Sequence, residues 1–368
     1  MTKTNNPTVA LIFGGRGYER DVSIKGADNL FSLIPCEKYE KIPIFIDRDG
    51  RFLMSEDEGT IPLKIARGEV SVREVYPAYF SGRGGLAHEG GFVPVDAAFP
   101  LLHGNFGEDG VVQGALECAR IAYVGCDTLG SAMARDKMLV KTVAKALGIP
   151  TARGVLCRRG EENEAIREVE NEFSYPVFVK PTRLGSSFGA SVAGNRDELL
   201  SALDKSLSLS PRAIIEEYID IEKELECAYF ATKGKELFTN LGEIRACGFY
   251  DYEKKYGEIR NEENEASPQK FETHNECAPE VRDFSDVGEE IESTAREYAK
   301  WLVRMLSLRD LSRIDFFLSK DGRLYFNEIN TMPGFTKTSL YLRLVERCGA
   351  PQEEIISSLI DCAIERGV

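Results

Sequence analysis

The chain has one tryptophan, three histidines and no C-x-x-C pair among its nine cysteines. Without that pair there is no sequence signature of a structural zinc knuckle or a dithiol redox centre. An odd, scattered set of thiols instead reads as reduced and mostly buried. With only His88, His103 and His274, a His-rich metal centre has too few ligands, and a Ser-His-Asp engine would have to use one of those three. No long hydrophobic run is present. The apolar stretch near the start covers only residues 9–13, too short for a signal h-region or a membrane span, so a cytoplasmic protein with no membrane partner is expected. Positive charge is also scarce: 46 Lys and Arg against 60 Asp and Glu give a net charge of -14, which speaks against nucleic acid as a general partner. The Walker A order G-x-x-x-x-G-K-[ST] is missing, as are repeats and low-complexity tracts.

What remains is 368 residues, enough for two or three domains. The first third alternates strands at 8–13, 42–47, 96–102 and 123–125 with helices at 22–33 and 111–120, the pattern of an open parallel sheet. The acidic pair Glu108-Asp109 suits the first turn of the second helix. A composition shift near Asp127-Thr128 opens a new unit. There Thr128 is the expected cap of one long helix over 130–147, closed by Gly148 and Pro150. Strands at 177–180, 190–192, 213–218 and 224–230 and helices at 196–207 and 286–306 follow. The segment 245–283 is polar and irregular, the length of a lid. The resulting division is 1–127, an α/β substrate domain; 128–218, a central domain; and 219–368, an α+β C-terminal domain.

The stretch Arg313-Ile-Asp315-Phe-Phe-Leu-Ser-Lys-Asp-Gly-Arg-Leu-Tyr-Phe-Asn-Glu328-Ile-Asn330 carries the sharpest chemistry. With Asp321-Gly322 as a two-residue turn, Asp315 faces Glu328 and Arg313 faces Asn330. All four then share one face, with Ile314, Phe316, Leu318, Tyr325 and Ile329 on the other. Like charges directly opposite destabilise a sheet. Hard oxygen ligands so placed make sense around a divalent cation such as Mg2+. The bland alternatives are a solvated acidic face or a register slip that parts the two acids.

Other segments are weaker alone. Lys180-Pro-Thr-Arg-Leu-Gly185-Ser186-Ser187-Phe188-Gly189 combines a cation with small residues whose N–H groups can cradle a phosphate, but taken alone a plain turn fits it better. By themselves Lys137 and Lys255 read as surface lysines, and Glu216, Glu217 and Glu224 as exposed charge near strand ends. Glu19 and His103 border the carboxyl ends of the parallel strands, where such sheets bind ligands; a histidine that merely holds a turn fits His103 equally well.

Six segments in order resemble the D-alanine-D-alanine ligase family: Ile12-Phe-Gly-Gly-Arg-Gly-Tyr-Glu19-Arg-Asp-Val-Ser23, Leu102-His103-Gly-Asn-Phe-Gly-Glu-Asp-Gly-Val-Val-Gln-Gly114, Asp136-Lys137, the stretch from Lys180 to Gly189, Phe249-Tyr-Asp-Tyr-Glu-Lys-Lys255-Tyr256, and the stretch from Arg313 to Thr336. The resemblance implies an ATP-grasp fold behind an open parallel-sheet N-terminal domain, and formation of D-alanyl-D-alanine from ATP and D-alanine for peptidoglycan synthesis. It implies that Lys137, Lys180, Lys255, Ser186 and Ser187 meet ATP phosphates, Glu216 and Glu217 the adenine, and Glu224 the ribose. Asp315, Glu328 and Asn330 would hold two Mg2+ ions, with Mn2+ as a substitute. Glu19, with His103 nearby, would bind the first amino acid, and Ser339 and Leu340 the second. Arg313 and the Gly334 N–H would stabilise the oxyanion, and Glu19, Ser186 and Tyr256 would form a hydrogen-bonded set. A homodimer is implied too. Relative to that pattern, the segment after Tyr256 is long, Gly17-Tyr18 replaces a small polar pair, Leu342 stands where proline is usual, and an extra residue falls within 220–223.

Alternatives are a D-alanine-D-serine ligase, which Val124-Gly-Cys-Asp-Thr-Leu129 and Ser187-Phe188-Gly189 resemble, another ATP-grasp carboxylate-amine ligase, and a non-catalytic nucleotide-binding module. Tyr256 disfavours a D-lactate acceptor and Leu340 favours D-alanine.

Overall fold

A computed structural model of the chain describes residues 6–54, 61–67, 69, 75–232, 234–245 and 280–368. Its first sheet holds β1 (Thr8–Gly14), β2 (Glu40–Ile46), β3 (Phe52–Met54), β4 (Tyr76–Ser81), β5 (Gly85–His88), β6 (Gly91–Pro94), β7 (Ala97–Leu101) and β8 (Ala122–Tyr123), in the order β6-β5-β4-β3-β2-β1-β7-β8. The expected parallel strands are there, β1 lying between β2 and β7 with β8 outside. The other half is antiparallel, from β2–β3 through β5–β6, and extends the expected open parallel sheet with strands the sequence pattern did not reveal. These added strands are short and half exposed, so they lack the continuous apolar run that marks a buried parallel strand.

β1 is buried along its whole length. Its alternation sends Val9, Leu11 and Phe13 against helix Arg20–Leu33 and the C-terminal helix Gln352–Arg366. Ala10 and Ile12 go to the other face, against helix Val111–Ala119. The last helix of the chain therefore closes over the first sheet.

The expected single helix over 130–147 is two helices, Thr128–Arg135 and Lys137–Ala146. Asp127, rather than Thr128, caps the first by accepting from Gly130 N at 2.7 Å. Asp136 breaks the run: its backbone is extended (φ -85°, ψ 105°), and its carboxylate accepts from Leu139 N to cap the second helix. An aspartate gains more from capping than from a helix interior. Arg183 and Arg212 also bind this fully buried carboxylate, fixing the break.

The central sheet is antiparallel, β9 (Gly154–Arg158), β10 (Val177–Pro181), β11 (Ser191–Ala193) and β12 (Arg212–Glu217), ordered β11-β10-β12-β9. Helices Glu162–Glu172 and Arg196–Leu209 cover its apolar face. The third sheet contains β13 (Ile221–Thr232), β14 (Lys235–Phe238), β15 (Gly242–Arg245), β16 (Glu280–Arg282), β17 (Leu311–Ser319) and β18 (Leu324–Asn330). Its order is β16-β15-β13-β17-β18, with β14 beside β13. Helix Glu289–Met305 and the pair of helices flanking Asp136 share its core.

The β17–β18 hairpin has the expected pairings at its functional end, Asp315 with Glu328 and Arg313 with Asn330. The turn end differs. There Phe316 pairs with Phe326 and Leu318 with Leu324, a slip of one residue that the bulge at Asn327 takes up. The slip buries Leu324 and Phe326 and leaves Tyr325 on the opposite face, half exposed, against the expectation that Tyr325 points inward. Two apolar side chains gain burial, and the extra residue restores the carboxylate pairing.

Candidate active site

A cavity of about 460 Å³ lies between the central and third sheets, with Lys137, Lys180, Glu216, Glu224, Asp315 and Glu328 in its walls. Period two explains the central wall. Val177 and Val179 enter the core, so Phe178 and Lys180 take the cavity face, and Glu216 stands opposite Phe178 on the neighbouring strand.

Lys180 Nζ lies 2.9 Å from Glu216 Oε2 and donates to Asn327 Oδ1 at 3.3 Å, tying the central sheet to the hairpin bulge. Lys137 opens the second of the split helices; its Nζ donates to Leu184 O at 2.7 Å and lies 3.0 Å from Glu328 Oε2. Burial pushes the Lys137 ammonium down, opposed by Glu328. Lys141, one helical turn on, pairs with the other oxygen of Glu216. Burial lowers Lys141 to about 8 in spite of Glu216. Burial raises Glu216, but Lys141 and Lys180 outweigh it and hold the carboxyl below its usual range.

The Glu216 side chain is thus occupied by two lysines. Glu217 turns away to Arg153, whose Nε donates to it at 2.8 Å. For an adenine, these two strand-end residues offer backbone rather than carboxylate. Glu224 also lines the cavity.

On the third sheet, three carboxylates stand side by side, because Glu226 pairs with Asp315 across β13–β17 and Asp315 with Glu328 across β17–β18. Arg313 grips Asp315 with two bonds, Nε to Oδ1 at 2.7 Å and Nη2 to Oδ2 at 2.6 Å, and approaches Glu226 Oε1 at 3.3 Å. Burial opposes that cation, yet Asp315 and Glu226 raise it well above its usual value. Asn330 Nδ2 donates to Asp315 Oδ2 at 3.0 Å. The acidic pair and the amide share a face, and they are hard oxygen donors that suit Mg2+. No described group of three or more His, Cys, Asp or Glu side chains is gathered as a metal cage. Arg313 and Lys137 provide the counter-charge instead.

At the wall of the cavity, Ser186 Oγ donates to Glu19 Oε1 at 2.6 Å, which joins the Gly/Ser loop to the first domain. Ser186 and Ser187 both adopt left-handed backbone (φ 53° and 58°), an uncommon state for residues other than glycine. Tyr18 stacks on Phe188 at 4.3 Å, so the unusual Gly17-Tyr18 pair has a partner in the same loop. His103 Nδ1 donates to Met332 O at 3.0 Å. Its buried Nε2 has no hydrogen-bond partner among the described residues. Burial pushes the imidazole down, with Glu19 opposing, so the ring is neutral at pH 7.

Glu108 does not serve the first turn of helix Val111–Ala119, which starts after Gly110. It is buried, accepting from Gly104 N at 3.1 Å and Arg135 Nη1 at 2.6 Å. Burial raises Glu108 to about 7 against the pull of Arg135.

In the loop after β18, a Cβ on Gly334 would sit 2.9 Å from Ser339 Oγ, so only glycine leaves that contact unstrained. Ser339 Oγ accepts from Thr336 N at 3.0 Å. Leu340 is buried in the apolar core shared with Ile244 and Leu344 and does not line the cavity. Lys255 and Tyr256, with most of the segment 245–283, lie outside the described residues.

Sequence reasoning missed Lys141, Glu226, Glu108 and Arg135. Two of them had a signal. Lys141 follows Lys137 by four on a helix, and Glu226 follows Glu224 by two on a strand.

Cations facing carboxylates between two sheets, beside a small-residue loop, fit the class that the chain's likeness to known proteins shows, a nucleotide-dependent ligase of the ATP-grasp fold. The family model described as D-ala D-ala ligase N-terminus matches residues 8–126, and that described as D-ala D-ala ligase C-terminus matches 143–361. The chain belongs to the D-alanine-D-alanine ligase family. It is 36% identical to the D-alanine--D-alanine ligase of Caldicellulosiruptor bescii, with 100% of this chain and 96% of that protein covered. It is 35% identical to the D-alanine--D-alanine ligase of Enterococcus faecalis, with 97% and 99% covered. Among solved structures it resembles the VanG D-Ala:D-Ser ligase from Enterococcus faecalis, with TM-score 0.85, 31% identity, and 97% of this chain and 99% of that chain covered. The D-alanine-D-alanine ligase from Coxiella burnetii gives TM-score 0.80 at 25% identity, with 98% and 94% covered. Use of ATP and a divalent metal goes with this membership.

Proposed function

We propose that the protein joins two D-alanines into D-alanyl-D-alanine for peptidoglycan synthesis, with ATP converted to ADP and phosphate. The observation that carries this reading is the opposition of Lys137 and Lys180 to Asp315 and Glu328 across one cleft, with Glu19 tied to the adjoining loop by Ser186. A carboxylate is a poor electrophile. Its oxygen must first take the γ-phosphoryl group of ATP, giving an acyl phosphate and ADP. Lys137 and Lys180 neutralise the phosphates during that transfer, with Lys255 joining them. Asp315, Glu328 and Asn330 would hold two Mg2+ ions, which supply Lewis-acid neutralisation of the phosphoryl oxygens.

Glu19 holds the ammonium of the first D-alanine beside the neutral His103. The second amino acid, at Ser339, attacks the acyl carbon as a free amine after losing a proton along Ser186 and Tyr256. Arg313 and the Gly334 N–H stabilise the tetrahedral oxyanion, and phosphate departs as the peptide bond forms. Glu216, Glu217 and Glu224 surround the nucleoside, the first two through their backbone. Three domains, at 1–127, 128–218 and 219–368, carry these parts. A cytoplasmic homodimer belongs to the same reading, supported by the family resemblance; no described helix is long and apolar enough to cross a membrane. Sedimentation checks the dimer.

Joining D-alanine to D-serine is the second reading, favoured by the likeness to the VanG ligase and by the Val124–Leu129 and Ser187–Gly189 segments. Leu340 lies in the core, so its side chain selects the acceptor only by shaping the backbone around Ser339. Mg-ATP with a panel of D-amino acids, read by phosphate release and dipeptide mass, tests both. D-Alanyl-D-alanine as main product supports the first reading, and a mixed D-Ala–D-Ser product the second. Turnover without D-alanine, or none with any acid, overturns both.

A further inference from the structure

The last residue of helix Thr128–Arg135 has no role in the chemistry above, yet it is buried at the centre of the first-domain site. Arg135 is 7% exposed. Its Nη1 donates to Glu108 Oε1 at 2.6 Å, and its Nη2 stands 3.6 Å from Glu19 Oε2. Nε and Nη2 make no hydrogen bond among the described residues, so the cation works mainly by its charge and by one directed bond. The backbone closes on this pair from two sides. A Cβ on Gly104 would fall 2.6 Å from Glu19 Oε2, and one on Gly185 would fall 2.9 Å from Glu19 Oε1 and 3.2 Å from Arg135 Nη1.

We propose that Arg135 is a positioning residue: it bridges Glu108 and Glu19 so that Glu19 keeps its aim at the ammonium of the first amino acid. The proposal rests on the ligase reading above. Without the guanidinium, the Glu19 and Glu108 carboxyls would face one another in a buried place with no cation between them. Like carboxyls so confined repel, and Glu19 swings out of place. That displacement costs the ammonium its partner. The Asp136 break is what makes this arrangement possible, since it ends one helix at Arg135, facing the first domain, and starts the next at Lys137, facing Glu328.

Arg135→Met keeps the length and apolar stem of the side chain and removes the charge. Steady-state kinetics of dipeptide formation should show KM for the first amino acid raised about tenfold or more, with KM for ATP changed less than about twofold. Arg135→Lys should recover part of the loss. The double variant Arg135→Met, Glu108→Gln should recover more, because it deletes the unpaired carboxylate as well as the cation. Thermal melting of each variant separates unfolding from altered binding. An unchanged amino-acid KM in folded Arg135→Met, equal rises in both KM values, or strictly additive effects in the double variant would overturn the proposal. If the wild-type chain forms no dipeptide, the ligase reading fails; if it does and Arg135→Met keeps its KM, only this inference fails.

Discussion

Replacing Glu108 by Gln should change how stability depends on pH, by an amount set by one buried carboxyl. Glu108 is 4% exposed, and burial raises it from 4.5 to about 7, with Arg135 opposing. A carboxyl raised in the fold holds its proton there while the unfolded chain has already lost its own. Its contribution to stability is complete below the unfolded value and is lost as pH rises through about 7. Across about pH 5 to 8 that linkage amounts to about 2.5 kcal/mol. Gln keeps an oxygen for Gly104 N and Arg135 Nη1 and has no proton to lose. Urea unfolding of both proteins at several pH values, subtracted pairwise, cancels every other titration. The wild type should lose about 2.5 kcal/mol relative to the variant between those limits. A difference that stays flat with pH would show that Glu108 titrates normally and would refute a carboxyl raised by burial.

Leu340→Ala should cost about 2–4 kcal/mol of stability by emptying core volume, measured by denaturant unfolding; a loss near zero would put the side chain in solvent or in the acceptor site. The Tyr18–Phe188 stack should give a coupling of about 1 kcal/mol in a double-alanine cycle read by unfolding, and strict additivity would make the contact incidental. Lys180→Ala and Glu328→Gln should each lower turnover more than about a hundredfold while the far-UV circular dichroism stays unchanged; full activity in either would contradict the site assignment.

The site was legible where chemistry and local periodicity coincide. Strand alternation placed Asp315, Glu328, Arg313 and Asn330 on one face, and the structure has that pairing. The reason given for it was incomplete, because a one-residue slip toward the turn and a bulge at Asn327 cancel. Neither leaves a mark in apolar alternation alone. Asp136 in the middle of a helical pattern was a readable cap, hidden by the strong periodicity on both sides. Glu108 and Arg135 meet across 27 positions, one in a loop and the other at a helix end, and no local pattern predicts such a pair. The antiparallel half of the first sheet was lost for another reason: its strands are short, glycine-punctuated and only partly buried.

The account depends on the hairpin acids taking a divalent cation beside the nucleotide, in the place where Arg313 and Lys137 now balance them. Mn2+ binding, followed by electron paramagnetic resonance with a non-hydrolysable ATP analogue, measures this directly. Glu328→Gln should weaken nucleotide-dependent Mn2+ binding about tenfold or more relative to the wild type. Equal affinity in the two proteins would mean that the paired carboxylates hold no metal, and the phosphoryl-transfer site would have to be sought elsewhere.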